Sequence, residues 1–365
     1  EEEYLKILSI VRQILFDDDR WSNIQREDVN ITDLLGGVTN QLLLIERKDG
    51  TSELDKLVFK LFGQATIDFI DRMTENLIFS RLSSMEFSPT FYGVFENGRI
   101  EGYLPGRTLT LDEVVIEPYL GYIATSLAQL HSFHFPTIDY LSSLPFNELK
   151  FVDFNHLLNH PIVENGRKHH HSYQWLWNKI ELYFHIIHEI HFHTTEQQEK
   201  YRKLNFPTIE KEYQWYKDFT IRLLEHHLSW KEDPEKDCNI SSDRMLGRLF
   251  AIQEVLCHND LHSGNIILVN EEAHDNDKII KLIDYEYVAY NYRGFDLANQ
   301  FCEYCGFDFQ VRTKFPNKEK RLEFLSIYLQ SSNPSYVNNE QFLEGVDDMV
   351  LYFALGVNLS WGSWG

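Results

Sequence analysis

The strongest constraint on the fold is a change in the spacing of apolar residues near residue 105. Before that point, four apolar stretches have the length and composition of strands, and turn signals separate them into two pairs. They are Leu42–Ile45, Leu57–Phe62, Phe91–Phe95 and Ile100–Leu104, with turns at Asp49-Gly50 and Asn97-Gly98. Residues 67–86, between the pairs, have helical spacing. The first hundred residues therefore predict a small antiparallel sheet with one main helix.

After Pro105-Gly106 the pattern becomes mostly helical. Six segments have apolar residues at helical spacing: 111–134, 173–193, 208–230, 242–256, 319–330 and 340–364. One short strand pair, Ile266–Val269 with Ile279–Ile283, interrupts them. We therefore predict an α+β fold with two lobes. The first covers residues 1–104 and the second, mostly helical, covers residues 105–365, with a hinge at Glu101–Pro105.

The charge balance narrows the classes of partner. The chain has 34 basic and 56 acidic residues, for a net charge of −22. Such a surface repels phosphate backbones and anionic bilayers, so we expect neither nucleic-acid binding nor stable membrane anchoring. The sequence opens with Glu1-Glu2-Glu3 rather than the basic start of a signal peptide, and four cysteines in 365 residues do not make a disulfide scaffold. These features favour a cytoplasmic globular protein.

Three polar residues around the short strand pair predict a catalytic site that holds a metal ion. Asn265 opens the first strand and Asp284 follows the second, so an antiparallel pairing brings their oxygen atoms together, as Mg²⁺ prefers. Asp260 lies five residues before Asn265, in the loop that leads into the strand. This order is typical of kinases, in which the first Asp orients the substrate hydroxyl and the other two residues hold Mg²⁺ on the nucleotide phosphates. Turn capping explains any one of these residues alone, but not the ordered set.

The predicted first lobe has two features that fit a nucleotide site. Strand alternation places Lys60 on one face with Val58 and Phe62, where it needs an anionic partner such as a phosphate or a carboxylate. The alternative is a lysine that extends past the strand edge to solvent. Gly36-Gly37 precedes the first strand, and glycine allows backbone amides to approach phosphates closely, although a glycine pair alone is usually a turn.

The sequence His258-Asn259-Asp260, with Asn265 and the run Ile283–Tyr287, resembles the choline/ethanolamine kinase family. The resemblance continues through Tyr290–Asn299, Phe301–Glu303 and Trp361–Trp364, and it covers about residues 30–365. It implies a protein-kinase-like fold and an ATP-dependent kinase that uses Mg²⁺. The implied reaction is the phosphorylation of choline to phosphocholine, the first step of the CDP-choline route to phosphatidylcholine.

The resemblance also implies roles for individual residues. Catalysis is assigned to Asp260, Asn265 and Asp284, and the last two are the implied metal ligands. The implied nucleotide contacts are Gly37, Val38, Thr39, Asn40, Lys60, Glu75, Glu101, Tyr103 and Leu104. Within this set Glu75 is the implied ion-pair partner of Lys60, and Glu101–Leu104 is the implied hinge strand that reads the adenine. Asp296 is the implied brace of the catalytic loop.

The implied substrate pocket consists of Asp260, Tyr287, Glu303, Phe309, Trp361 and Trp364. A quaternary ammonium has no N–H to donate, so its recognition relies on aromatic faces and carboxylates. Trp361 and Trp364 are three residues apart and share a helix face, although such a pair also suits plain core packing. The sequence stops at Gly365, immediately after Trp364, whereas family members usually continue through another helix, so we expect a truncated chain.

Three alternatives stay open at the level of the sequence. An ethanolamine kinase shares nearly all of these motifs, whereas an aminoglycoside phosphotransferase lacks the Trp361–Trp364 ending. A non-catalytic choline-binding protein is the third, and the joint presence of Asp260, Asn265, Asp284 and Lys60 argues against it. The expected partner is a small amino alcohol, choline or ethanolamine, and a homodimer is one assembly that the resemblance allows.

Overall fold

The computed structural model describes residues 2–34, 39–66, 69–135, 175–233, 240–271 and 279–364. The described residues form two compact units. The first unit contains the described residues up to Thr110 together with Ser263–Tyr287, and the second contains the others. The division of the chain at residue 105 into two lobes stays a prediction.

The first unit is built on a five-stranded antiparallel sheet. Its strands are β1 (Val29–Leu34), β2 (Asn40–Arg47), β3 (Lys56–Phe62), β4 (Phe91–Phe95) and β5 (Gly98–Gly102), in the spatial order β1-β2-β3-β5-β4. The pattern of apolar residues predicted four of them. It missed β1 because this edge strand buries only Val29 fully and carries polar residues at most other positions.

Two helices accompany this sheet: α1 (Glu2–Ile14) and α2 (Arg72–Ser84). Helix α1 buries Leu8 and Val11 in a core that it shares with Leu57 and Phe59 of β3. Because side chains alternate along a strand, this core fixes Lys60 on the other face of β3. Helix α2 begins five residues later than its pattern predicts, where Asp71 caps it by accepting a hydrogen bond from the Thr74 amide.

The remaining strands are short. They are β6 (Gly106–Thr108), β7 (Glu254–Cys257), β8 (Ile266–Val269), β9 (Ile279–Leu282) and β10 (Ala289–Tyr292). In the first unit, β8 pairs with both β6 and the predicted partner β9; in the second unit, β7 pairs with β10. The predicted helix 242–256 is wrong at its end, because the chain leaves the helix at Ala251 and continues as β7. The apolar run Val255–Cys257 is too short to show whether its spacing is that of a helix or that of a strand.

The second unit is mostly helical. Its helices are α3 (Tyr119–Ser132), α4 (Trp175–Glu189), α5 (Thr195–Leu204), α6 (Phe206–Glu232), α7 (Ser242–Ala251), α8 (Arg293–Glu303), α9 (Val311–Lys314), α10 (Lys318–Ser332) and α11 (Glu340–Trp364). Helix α11 packs against α7, α8 and α10, and their contacts bury Phe295, Phe324 and Phe353. Over the described ranges, no helix combines the length and the apolar character that crossing a membrane requires.

Helices α7 and α11 approach each other so closely that glycine is required at their crossing. A Cβ atom on Gly345 would lie 1.9 Å from the Arg244 carbonyl oxygen, and one on Gly247 would lie 2.1 Å from the Phe342 carbonyl oxygen. Arg244 then binds Asp348 through two nitrogens, at 2.7 and 2.8 Å. This crossing fixes α11, the helix that ends with Trp361 and Trp364.

We expect Gly345→Ala to lower the free energy of unfolding by about 2 kcal/mol, because the added methyl group forces two packed backbones apart. The measurement is urea-induced unfolding followed by far-ultraviolet circular dichroism. The matched control is Gly362→Ala in the same helix, where an added Cβ meets no atom within 4 Å. Equal stability of the two variants would contradict the assigned contact.

Candidate active site

The strand pair of the first unit brings Asn265 and Asp284 to the same end, as its antiparallel pattern predicts. Ile266 is the register partner of Leu282, and the Ile283 amide donates a hydrogen bond to the Asn265 carbonyl oxygen at 3.0 Å. Asp284 has a φ of +61°, in the left-handed region that few side chains adopt without strain. Such a conformation persists only where the surrounding structure holds it in place, and it is concentrated at functional sites.

The side chain of Lys60 contacts Asp284. Its Nζ atom lies 2.6 Å from Asp284 Oδ1 and 4.0 Å from Glu75 Oε1, and the residue is 4% exposed. Burial alone would lower the pKa of Lys60, but Asp284 and Glu75 outweigh it and hold the pKa above its ordinary value. The lysine is therefore buried and charged, and it does not extend to solvent.

Glu75 lies at the centre of this network and is 1% exposed. Its nearest partner is Arg99, whose Nη1 atom lies 2.5 Å from Oε1, and Arg72 Nη1 lies 2.7 Å from Oε2. Burial would raise the pKa of Glu75, but Arg99, Lys60 and Arg72 together hold it below its ordinary value. The sequence reasoning missed both arginines. The only signal for Arg99 is a charged residue in the alternating pattern of β5.

The predicted hinge residues begin on β5, the strand that also carries Arg99. Glu101 accepts a hydrogen bond from Arg99 Nε at 2.7 Å, so its carboxylate belongs to the buried network. Strand β5 ends at Gly102, and Tyr103 lies after it, with Lys56 Nζ 5.4 Å from its ring centroid. The adenine contacts expected from Glu101, Tyr103 and Leu104 stay a prediction.

The sequence reasoning gave no role to Glu286, two residues after Asp284. Its carboxylate accepts hydrogen bonds from Thr39 Oγ1 and Asn40 Nδ2, both at 2.9 Å, and from Arg72 Nη1 at 3.2 Å. The predicted nucleotide residues Gly37 and Val38 lie outside the described residues, as does Gly36. Thr39 and Asn40 are therefore the part of that segment for which the structure gives contacts.

In the second unit, Asp296 holds the loop that leads to Asp260. Its two carboxylate oxygens accept hydrogen bonds from the backbone amides of His258 and Asn259, each at 2.8 Å. His131 Nε2 lies 2.9 Å from the same carboxylate, and burial, which would raise the pKa of Asp296, is outweighed by this partner. Asp296 thus braces the residues immediately before Asp260, in agreement with the support role that the sequence predicts for it.

His131, Cys257 and Asp296 are close enough to suggest a metal site, but their chemistry does not fit one. Both ring nitrogens of His131 already have partners, at 2.8 Å to Tyr328 Oη and 2.9 Å to Asp296 Oδ2. Burial raises the pKa of Cys257 well above its ordinary value, so the thiol keeps its proton. This cluster is a buried hydrogen-bond network that holds the loop before Asp260.

Helices α8 and α11 of the second unit, which pack against each other, carry three of the predicted substrate residues: Glu303, Trp361 and Trp364. The rings of Trp361 and Trp364 pack edge to face with centroids 6.2 Å apart, and Trp361 Nε1 donates to Asn299 Oδ1 at 2.9 Å. Asn299 is fully buried and lies one turn before Glu303 on α8. Burial raises the pKa of Glu303 to about 7. An aromatic pair and a desolvated carboxylate thus occur on two helices in mutual contact.

Of the other three predicted substrate residues, Asp260 directly follows the two residues that Asp296 holds, and Tyr287 and Phe309 lie elsewhere. Tyr287 is buried and belongs to the first unit, directly after the loop that carries Asp284 and Glu286. Phe309 follows α8, is 67% exposed and has a φ of +50°. Their contribution to a substrate pocket stays a prediction.

These features define a protein-kinase-like fold: an antiparallel sheet with a buried lysine and a helix carboxylate, followed by a mostly helical remainder in which Asp296 holds the loop before Asp260. The structure is similar to that of choline kinase from Cryptosporidium parvum, with a TM-score of 0.67 and 20% sequence identity, over 100% of this chain and 88% of that one. The predicted fold class is confirmed.

The family follows from the sequence comparison. The family described as "Choline/ethanolamine kinase" matches residues 31–365, so the chain belongs to the choline/ethanolamine kinase family, as the resemblance implies. It is 28% identical to "Probable ethanolamine kinase A" of Dictyostelium discoideum, over 94% of this chain and 80% of that protein. It is 27% identical to "Choline/ethanolamine kinase" of Homo sapiens, over 94% and 75%. The names of these relatives include both amino alcohols.

Proposed function

We propose that this chain transfers the γ-phosphoryl group of ATP to the hydroxyl of choline, which forms phosphocholine and ADP. Membership of the family supports a kinase of small amino alcohols. The observation that carries the choice of choline is the aromatic pair of Trp361 and Trp364 on α11, a helix that packs against α8, which ends with the desolvated Glu303. Ethanolamine is the alternative substrate, because a relative named as an ethanolamine kinase is equally similar.

The first unit supplies the nucleotide side of this proposal. Asn265 and Asp284 offer a carboxamide and a carboxylate oxygen at one strand end, a donor set that fits Mg²⁺, so these two residues would hold the ion. Bound there, Mg²⁺ neutralises charge on the nucleotide phosphates. Lys60 would provide a further positive charge for the phosphates, and the segment from Gly37 to Asn40 would cover them.

In the catalytic step the protein itself contributes little covalent chemistry. Asp260 would orient the choline hydroxyl and accept its proton as the oxygen attacks the γ-phosphorus. The bond between that phosphorus and the bridging oxygen of ADP breaks, and ADP leaves with the electron pair. Catalysis then rests on positioning and on stabilisation of charge. The backbone bonds from Asp296 to the two residues before Asp260 support such positioning.

The substrate side fits a cation without N–H groups. A quaternary ammonium over a tryptophan face gains about 0.5–2 kcal/mol, depending on how far the site excludes water. Glu303 would add an opposite charge, and Tyr287 and Phe309 would complete the aromatic wall. A primary ammonium would instead require several oxygen acceptors for its three donors. We therefore favour choline over ethanolamine.

The direct test is an ADP-release assay with Mg²⁺ATP and choline, ethanolamine or an aminoglycoside as the acceptor. We expect the highest kcat/KM with choline and no turnover with the aminoglycoside. A higher value for ethanolamine would overturn the choice of substrate, and no turnover with either amino alcohol would overturn the proposed activity.

In the same assay Asp260→Ala should lose at least about a hundredfold in kcat and keep its affinity for ADP. Near-normal turnover of that variant would contradict the role of Asp260.

The pKa of Glu303 makes a prediction for the binding of the cation. Below pH 7 the buried carboxyl group is protonated and neutral, whereas a bound cation favours the carboxylate. The dissociation constant of choline should therefore fall, by up to about tenfold, as the pH rises from 6 to 8. Tryptophan fluorescence during a choline titration measures it. Glu303→Gln should bind choline weakly with little pH dependence, and an unchanged pH profile in that variant would contradict the assignment.

A further inference from the structure

Asn299 on α8 carries a buried amide group to which the proposed reaction assigns no role. The residue is fully buried, and its Oδ1 atom accepts a hydrogen bond from Trp361 Nε1 at 2.9 Å. An indole N–H can only donate, so this contact requires the amide to turn its oxygen towards Trp361. The Nδ2 atom at the other end of the amide has no hydrogen-bond partner in the described part of the chain.

The contact of Asn299 with Trp361 contributes little to stability. A buried donor without a partner is costly, and this cost offsets the gain from one neutral hydrogen bond. Trp361 is partly exposed, so water could hydrate its N–H if the amide were absent. A leucine at position 299 would have the same branched shape and no polar group to desolvate. Orientation of the Trp361 ring is therefore the main effect of the buried amide.

The two helices that carry this hydrogen bond are in close contact. A Cβ atom on Gly294 of α8 would lie 2.6 Å from the Phe353 ring of α11, so only glycine allows this approach. Further along the same helices, Asn358 Nδ2 lies 3.8 Å from Cys302 Sγ. Because contacts on both sides of Asn299 hold α8 against α11, the hydrogen bond to Trp361 sets a direction for the indole ring.

That direction matters for a cation because an aromatic ring is negative on its faces and positive at its edge. A quaternary ammonium binds over a face. The bond to Asn299 turns the N–H edge of Trp361 towards α8. Trp364 packs against Trp361 with the two ring planes 75° apart, so the pair presents ring faces in two directions.

We propose that Asn299 is a positioning residue that, by holding the indole N–H of Trp361, presents a face of that ring to a quaternary ammonium. It thereby raises the preference for choline over ethanolamine. A primary ammonium relies on oxygen acceptors for its N–H groups, so the orientation of a ring matters less to it. This inference rests on the proposed function.

The test begins with Asn299→Leu. We expect the KM for choline to rise about fivefold, the range of one neutral hydrogen bond. The ratio of kcat/KM for choline to that for ethanolamine should fall by a similar factor. The KM for MgATP should stay within about twofold of the wild-type value. The unfolding temperature should equal or exceed that of the wild type, because the variant also loses the buried donor.

A second variant, Trp361→Phe, shows whether Asn299 acts through the indole N–H. Phenylalanine keeps an aromatic face and removes the donor. In the Trp361→Phe background, Asn299→Leu should therefore change the KM for choline by less than about twofold.

The matched control is Asn339→Leu at the opposite end of α11. Asn339 Oδ1 accepts a hydrogen bond from the Phe342 amide at 3.0 Å and so caps the helix. This variant should lower the unfolding temperature and leave the KM for choline and the preference for choline unchanged. A structural asparagine and a positioning asparagine thus give opposite patterns.

Three results would overturn the inference. If Asn299→Leu lowers the unfolding temperature and leaves the KM for choline unchanged, its role is only structural. If the KM values for choline and ethanolamine rise equally, Asn299 does not set the preference. If Asn299→Leu has its full effect in the Trp361→Phe background, it does not act through the indole N–H.

The proposed function can fail separately from this inference. If the wild type turns over an amino alcohol and Asn299→Leu matches it, the inference is overturned and the proposed activity stands. If the wild type phosphorylates neither amino alcohol, the proposed activity is overturned, and isothermal titration calorimetry with choline then decides on Asn299. A loss of affinity of about fivefold in Asn299→Leu would support the inference. Equal affinity of the two proteins, or no choline binding by the wild type, would overturn it.

Discussion

The ion pair between the buried Lys60 and the partly exposed Asp284 is the interaction around which the described first unit is arranged. A lysine that is only 4% exposed loses its hydration, and carboxylates at close range must compensate for this loss. Three elements contribute to the pair. Strand β3 carries Lys60, helix α2 contributes Glu75, and the loop after β9 contributes Asp284. The core between α1 and the sheet sets the orientation of β3, since Leu57 and Phe59 fill it and leave Lys60 on the opposite face.

The features that sequence alone predicts are those with a local cause. Alternation along one strand places Lys60, and antiparallel pairing of two neighbouring strands places Asn265 next to Asp284, so both could be inferred without a structure. Arg99 could not, because it meets Glu75 only after β5 and α2 have packed. Arg72 lies three residues before Glu75 on α2, but its contacts with Asn40 and Glu286 join distant parts of the chain. The contacts of Glu286 could not be inferred either, because its partners Thr39 and Asn40 lie about 250 residues earlier in the chain.

The predicted substrate residues also differ in whether the sequence alone could have placed them. The spacing of Trp361 and Trp364 predicts a shared helix face, and the two rings do pack against each other. The desolvation of Glu303 depends on how α8 packs, which no local pattern reports. Choline and ethanolamine differ only in their ammonium groups, so the choice between them rests on such burial and not on the catalytic motifs. The chain has a net charge of −22, whereas the described part of the first unit buries the positive charges of Lys60 and Arg99 beside Glu75.

The measurement that tests the central claim most directly is the kcat/KM for MgATP of Lys60→Met, with choline as the acceptor. If the ion pair holds Lys60 for the nucleotide phosphates, this value should fall by at least about a hundredfold. Choline binding, measured by tryptophan fluorescence, should stay within about twofold of the wild-type value. Near-wild-type kcat/KM for MgATP in a folded Lys60→Met protein would contradict the account.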